Sequence, residues 1–144
     1  MRAPHRPGGF TLLELTVVLS IAGLMLALSI PRFSAARDGW AVRSAVTELG
    51  DSFSLARQTA IARRSPVAVV VDTAGGVVEV RSGAGTIRRS GLGGTYGVRL
   101  GSSRDSAVYD AKGLGFGLSN LTVTVQRGAL VDTLTMSRLG RVRW

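Results

Sequence analysis

From Phe10 to Ile30 the chain is predominantly apolar, and its only charge there is Glu14. As a helix this run is roughly 32 Å long, about the thickness of a bilayer's hydrocarbon core. It therefore predicts a membrane-spanning helix at the head of the fold. Gly8 and Gly9 stand directly before it, behind a leader containing Arg2 and Arg6. An ordinary secretory signal is cut after its apolar region, which is then lost. Here the small residues come first, so a cut among them keeps the helix on the mature protein. Arg2 and Arg6 place the N-terminal end in the cytoplasm. Arg32, just past the other end, weakens that asymmetry without reversing it.

Glu14 needs its own account. A carboxylate inside a membrane helix costs on the order of 2.5 to 3.5 kcal/mol at the bilayer centre and less near the end, where this one lies. From position alone, it snorkels to the interface and complements the positive end of the helix dipole. The run Gly8-Gly9-Phe10-Thr11-Leu12-Leu13-Glu14-Leu15 closely resembles the prepilin signal of type IV pilins and type II secretion pseudopilins. That resemblance implies cleavage between Gly9 and Phe10 by a prepilin peptidase that also methylates Phe10. It further implies that Glu14 pairs with the N-terminal amine of a neighbouring subunit during assembly. The implied partners are the prepilin peptidase/methylase, other pseudopilins or minor pilins, and the inner membrane, with the head periplasmic.

Residues 1–9 thus read as a leader, 10–32 as a transmembrane helix and 33–144 as a head. Pro31 predicts a kink or break. Past it, Phe33, Ala36, Trp40, Leu49, Phe53, Ala56 and Ala60 recur at helical spacing, with Val46 filling one gap imperfectly. Arg37, Arg43, Glu48, Asp51 and Arg57 lie opposite. This is an amphipathic helix over 33–64, ended ahead of Pro66, whose apolar stripe packs on a sheet. Gly39 and Gly50 count against an unbroken one.

Residues 66–144 read as strands. Val67–Asp72 and Val77–Ser82 flank Thr73-Ala74-Gly75-Gly76 as a hairpin, and Thr86–Arg89 extends it. Gly91-Leu92-Gly93-Gly94 has glycines but neither Gly-Lys-Ser nor a following helical pattern, so it reads as a flexible connection ahead of a strand at Thr95–Leu100. Val108–Asp110 leads into a loop over Ala111–Gly117. Leu121–Gln126 and Val131–Ser137 alternate strictly around a turn at Arg127-Gly128-Ala129. In Arg141-Val142-Arg143-Trp144 the arginines face one way and Val142 and Trp144 the other.

Three stretches of this second half resemble the GspH/FimT branch of pseudopilins and minor pilins: Ala56–Arg64 followed by a valine strand, Tyr109-Asp110-Ala111-Lys112-Gly113, and Ser137-Arg138-Leu139-Gly140-Arg141-Val142-Arg143. The resemblance implies an α+β, pilin-like fold with a long N-terminal helix packed on antiparallel β-sheet. The missing cysteines depart from branch members that carry a disulfide.

Composition narrows the chemistry. There is no cysteine, and the one histidine, His5, lies in the leader. The mature chain then has no disulfide, no cysteine or histidine metal site, and no histidine general base. A serine–lysine pair through Lys112 is the arrangement left open. No carboxylate spacing suggests glycoside or metal chemistry. The chain reads as a non-enzyme, without cofactor or metal. Its formal charge is +9, and every basic residue but Lys112 is arginine. From Arg99 onward, Asp105, Asp110 and Asp132 face six arginines and Lys112. Two functional readings follow. The first is a minor pseudopilin of a type II secretion pseudopilus. The alternative is a FimT-type minor pilin of a type IV pilus, because the closing Gly-Arg-x-Arg element is associated in that branch with binding double-stranded DNA for natural transformation. Arg141 and Arg143 would then contact phosphates, joined by Arg127 and Arg138.

Overall fold

The computed structural model describes residues 9–83, 85–116 and 120–144, and for 29–32 the backbone only. Arg2, His5, Arg6 and Gly8 of the leader, and Gly117 of the expected loop, lie outside the described residues. The chain divides into two compact units, Met1–Ala36 and Arg37–Trp144.

In the first unit, helix α1 (Leu12–Arg63) begins at a cap that the sequence reading passed over. The Glu14 backbone N–H donates to Thr11 Oγ1 at 3.2 Å, half of a Thr-x-x-Glu capping box. Every described side chain from Phe10 to Leu28 is exposed. The helix is long and apolar enough to cross a membrane. Its hydrogen-bonded structure runs through Pro31, so the expected break is absent. A proline removes one helical donor and leaves the bonds further along in place, and Ala27, Leu28, Ala35 and Ala36 to either side are strong helix formers.

In the second unit, α1 buries Val42, Ala45, Val46, Leu49, Phe53, Ala56 and Ala60. Val46 is therefore a full member of the stripe, whereas Phe33, Ala36 and Trp40 are exposed. Trp40 lies two residues before Val42, about 200° around the helix from it, so helical spacing alone placed it on the wrong side. Glu48 and Arg57, expected on the solvated face, are half-buried.

The stripe packs against two antiparallel four-stranded sheets. In the first the order is β3-β2-β1-β5, from β1 (Val67–Asp72), β2 (Val77–Ser82), β3 (Gly85–Ser90) and β5 (Ser106–Tyr109). In the second it is β4-β6-β7-β8, from β4 (Arg99–Ser102), β6 (Leu121–Arg127), β7 (Leu130–Met136) and β8 (Val142–Arg143). The alternation read from the sequence is the alternation of burial: Val67, Val69 and Val71 point inward, as do Leu121, Val123 and Val125. Gly91–Gly94 is not a flexible connection. Leu92–Tyr96 forms a short helix, α2, anchored by fully buried Leu92, and the strand starts later, at Arg99. One buried leucine among glycines is too little for periodicity to register.

Candidate functional site

Two groups of residues were singled out by the sequence, and each belongs to one unit. At the N-terminal end, Gly9 and Phe10 lie ahead of the first helical residue, outside regular structure, and Phe10 is 81% exposed. Glu14 lies in the first helical turn, exposed, on the turn that Thr11 caps.

The four arginines of the second group do not gather in one place. Arg138, Arg141 and Arg143 are exposed at one end of the second sheet, beyond or beside Met136. Arg127 is at the other end, opposite Leu130 in the β6–β7 hairpin. Six residue steps along β7 separate the two ends, about 20 Å of strand. Arg127 is moreover occupied. Its Nε donates to Asp38 Oδ1 at 2.8 Å, and its Nη1 donates to the Tyr96 carbonyl. The two side chains are 24% and 30% exposed, so this is a half-buried clamp between α1, β6 and α2.

The clamp continues. The Tyr96 hydroxyl donates to Glu48 Oε2 at 2.9 Å, and Arg88 Nη2 lies 3.6 Å from Glu48 Oε1. Asp38, Arg127, Tyr96, Glu48 and Arg88 thus form a polar chain down one flank of the helix. The hydrogen bond to Glu48, then burial, then the Glu48 charge hold the Tyr96 phenol above its ordinary range. No local pattern announces a pair whose members lie 89 residues apart, as Asp38 and Arg127 do. These contacts tie α1 to α2, β3 and β6. The cleft beside them, about 260 Å³ and lined by Gly97, Arg99, Gln126, Arg127 and Gly128, therefore contains one guanidinium already neutralised.

The free arginines sit on a seam. Asp110 folds its loop back by accepting the N–H groups of Lys112 and Leu114 at 2.9 and 2.8 Å. The 137–141 loop closes through Gly140 N–H to the Ser137 carbonyl and Ser137 N–H to the Arg141 carbonyl. The two loops then join, Gly115 N–H donating to the Arg138 carbonyl at 3.2 Å. Gly140 is required there. Its φ is +71°, and a Cβ would stand 2.6 Å from the Gly113 carbonyl oxygen. Beneath it lies fully buried Tyr109, whose hydroxyl donates to the Gly140 carbonyl at 3.5 Å. Burial pushes the Tyr109 phenol up to about 12, with the Arg57 guanidinium pulling the other way. Gly113 itself leans on α1, with Ile61 and Arg57 in the space a Cβ would take. Arg57 Nε and Ser137 Oγ are buried without a hydrogen-bond partner among the described residues. On the far side of the 137–141 loop, β8 pairs Val142 with Met136 and Arg143 with Thr135. The Trp144 ring lies over Gly50, where a Cβ would be 2.9 Å from it. The glycine that counted against the helix is what lets the C-terminal strand lie on it. The three stretches that carried the GspH/FimT resemblance, distant in sequence, are neighbours at this seam.

The comparisons with known proteins bear on the fold and the family. Two crystal structures of the type IV minor pilin FimU from Pseudomonas aeruginosa (strain PAO1) share the fold, with TM-scores of 0.61 and 0.59 at 16% identity. The matches cover 71% of this chain and 86% of FimU in the first, and 70% and 90% in the second. The competence protein ComGD of Bacillus subtilis (strain 168) is 43% identical over 56 residues, and that match spans 39% of this chain and 39% of ComGD. The prokaryotic N-terminal methylation motif matches residues 5–30. The sequence model described as Type II transport protein GspH matches residues 45–140, which takes in the seam as far as Gly140, and the chain belongs to that family of minor pseudopilins and pilins.

Proposed function

We propose that this chain is a minor pseudopilin, a structural subunit of a type II secretion pseudopilus rather than a catalyst. It is inserted in the inner membrane with its N-terminus cytoplasmic and its head periplasmic. Prepilin peptidase cuts it between Gly9 and Phe10 and methylates Phe10, and the helix that follows carries it into the filament. The observation that supports this most is the order of parts: a methylation motif over residues 5–30, an exposed apolar helix, then a GspH-type head over 45–140. Glu14 pairs with the methylated amine of a neighbouring subunit and sets its register. Coexpression with prepilin peptidase followed by N-terminal sequencing tests the cleavage. A mature N-terminus other than Phe10 overturns it. Glu14→Ala should be cleaved normally yet drop out of sheared filaments.

A second reading rests on the exposure of Arg138, Arg141 and Arg143 and on the similarity to a competence protein. In it the chain is a type IV pilus minor pilin of FimT type that binds double-stranded DNA for natural transformation. Deleting the gene separates the two: lost extracellular enzymes support the first, lost transformation the second. The full chain in detergent supplies the molecular check. DNA binding that weakens with salt and falls in Arg141→Ala/Arg143→Ala supports phosphate contacts. Absence of binding at low salt removes this reading.

A further inference from the structure

The seam exposes apolar side chains as well as charges. Ile61 at the end of α1, Leu114 and Phe116 in the Asp110 loop, and Leu139 in the 137–141 loop are all exposed, Phe116 by 70% and Leu139 by 62%. The segments bearing them are in direct contact, Gly113 against Ile61 and Gly115 against Arg138. The same segments carry Lys112, Arg138 and Arg141, all exposed. Their only carboxylate, Asp110, is spent on the N–H groups of its own loop. Duplex phosphates gain nothing from an exposed Phe116 and Leu139. Protein interfaces, by contrast, favour aromatic residues and arginine at their centres and keep other charged and polar groups for the rim.

We infer that this seam docks an acidic protein surface belonging to a different chain, namely another pilin-like subunit with carboxylates around an apolar socket. A second copy of this chain does not fit. Asp38, Glu48 and Glu79 are paired with arginines within the head. Asp72, Asp110 and Asp132 cap their own turns or strand. Asp51 and Asp105 remain in the head, on separate elements, and make no acidic patch. The inference rests on the filament-subunit reading and adds that the neighbour at this face is heterologous.

The test uses the full chain in its native cells, with a photo-crosslinking residue at Leu139 and, as a control, at Val131 on the outer face of the second sheet. The expected product at Leu139, identified by mass spectrometry, joins this chain to a different processed pilin-like subunit of acidic sequence. Its yield should fall about tenfold or more in Arg138→Glu/Arg141→Glu, about 1.4 kcal/mol of binding. Val131 should not give it. Cross-links between two copies of this chain, a nuclease-sensitive product, or no product from protein that is cut at Phe10 and present in sheared filaments overturns the inference and leaves the filament reading standing. Protein that is neither cut nor incorporated overturns both.

Discussion

Arg127 shows how one side chain changes meaning when its surroundings are known. In the sequence it is one more cation in a basic C-terminal region. In the fold it bridges Asp38 and the Tyr96 carbonyl, half-buried. Removing it leaves a partly buried carboxylate and carbonyl without a donor, and a hydrogen bond to a charged group is worth more than a neutral one. The pair's partial exposure reduces that figure. Arg127→Ala should therefore destabilise the protein by about 1 to 2 kcal/mol, seen as a lower urea midpoint. The same variant should leave any DNA affinity of the opposite end unchanged, whereas Arg141→Ala/Arg143→Ala should do the reverse. Gly50 carries a related lesson. A mid-helix glycine reads as a weakness until Trp144 is seen lying over it.

The strands were legible because their burial alternates with period two and their turns hold glycine. The β1–β2 hairpin lies at the boundaries the residues imply. The helix face was half legible. Leu49, Phe53, Ala56 and Ala60 fix its phase, but Trp40 joins the same spacing on the outer side, because steps of three and four drift around a helix of 3.6 residues per turn. Short α2 and the polar chain were illegible, since long-range partners define both. The Gly9–Glu14 segment was the reverse case, its meaning lying in a linear motif that needs no fold. The end of α1 gives a sharper test. Arg64 has φ +50°, and the bonds Arg64 N–H to Ile61 and Ser65 N–H to Ala60 make a Schellman ending with an arginine where glycine is usual. Relief of the left-handed conformation is worth about 1 kcal/mol or slightly more. One cation lost near the helix end costs a few tenths, because Arg63 remains. Arg64→Gly should gain about 0.5 kcal/mol, read as a small rise in Tm.

The two sheets and the helix share one core, and Tyr109 lies in it with its hydroxyl under the seam. Its phenol ionises at about 12 in the fold and near 10 when unfolded. Below pH 10 both states hold the proton and stability is unaffected. Between pH 10 and 12 the unfolded chain releases it first, so stability falls. Melting curves from pH 8 to 12 should show that decline, and Tyr109→Phe should flatten it while starting from a slightly lower Tm. The polar chain has a further consequence, in time rather than in space. Asp38 leaves the ribosome 89 residues ahead of Arg127, and β6, β7 and β8 are the last strands made. Until they arrive, Leu49 and Phe53 have half a core to lean on. The growing chain therefore carries a half-covered apolar helix until β6 is made. A ribosome stalled short of β6 would release a product fit for chaperones and proteases, not for a filament.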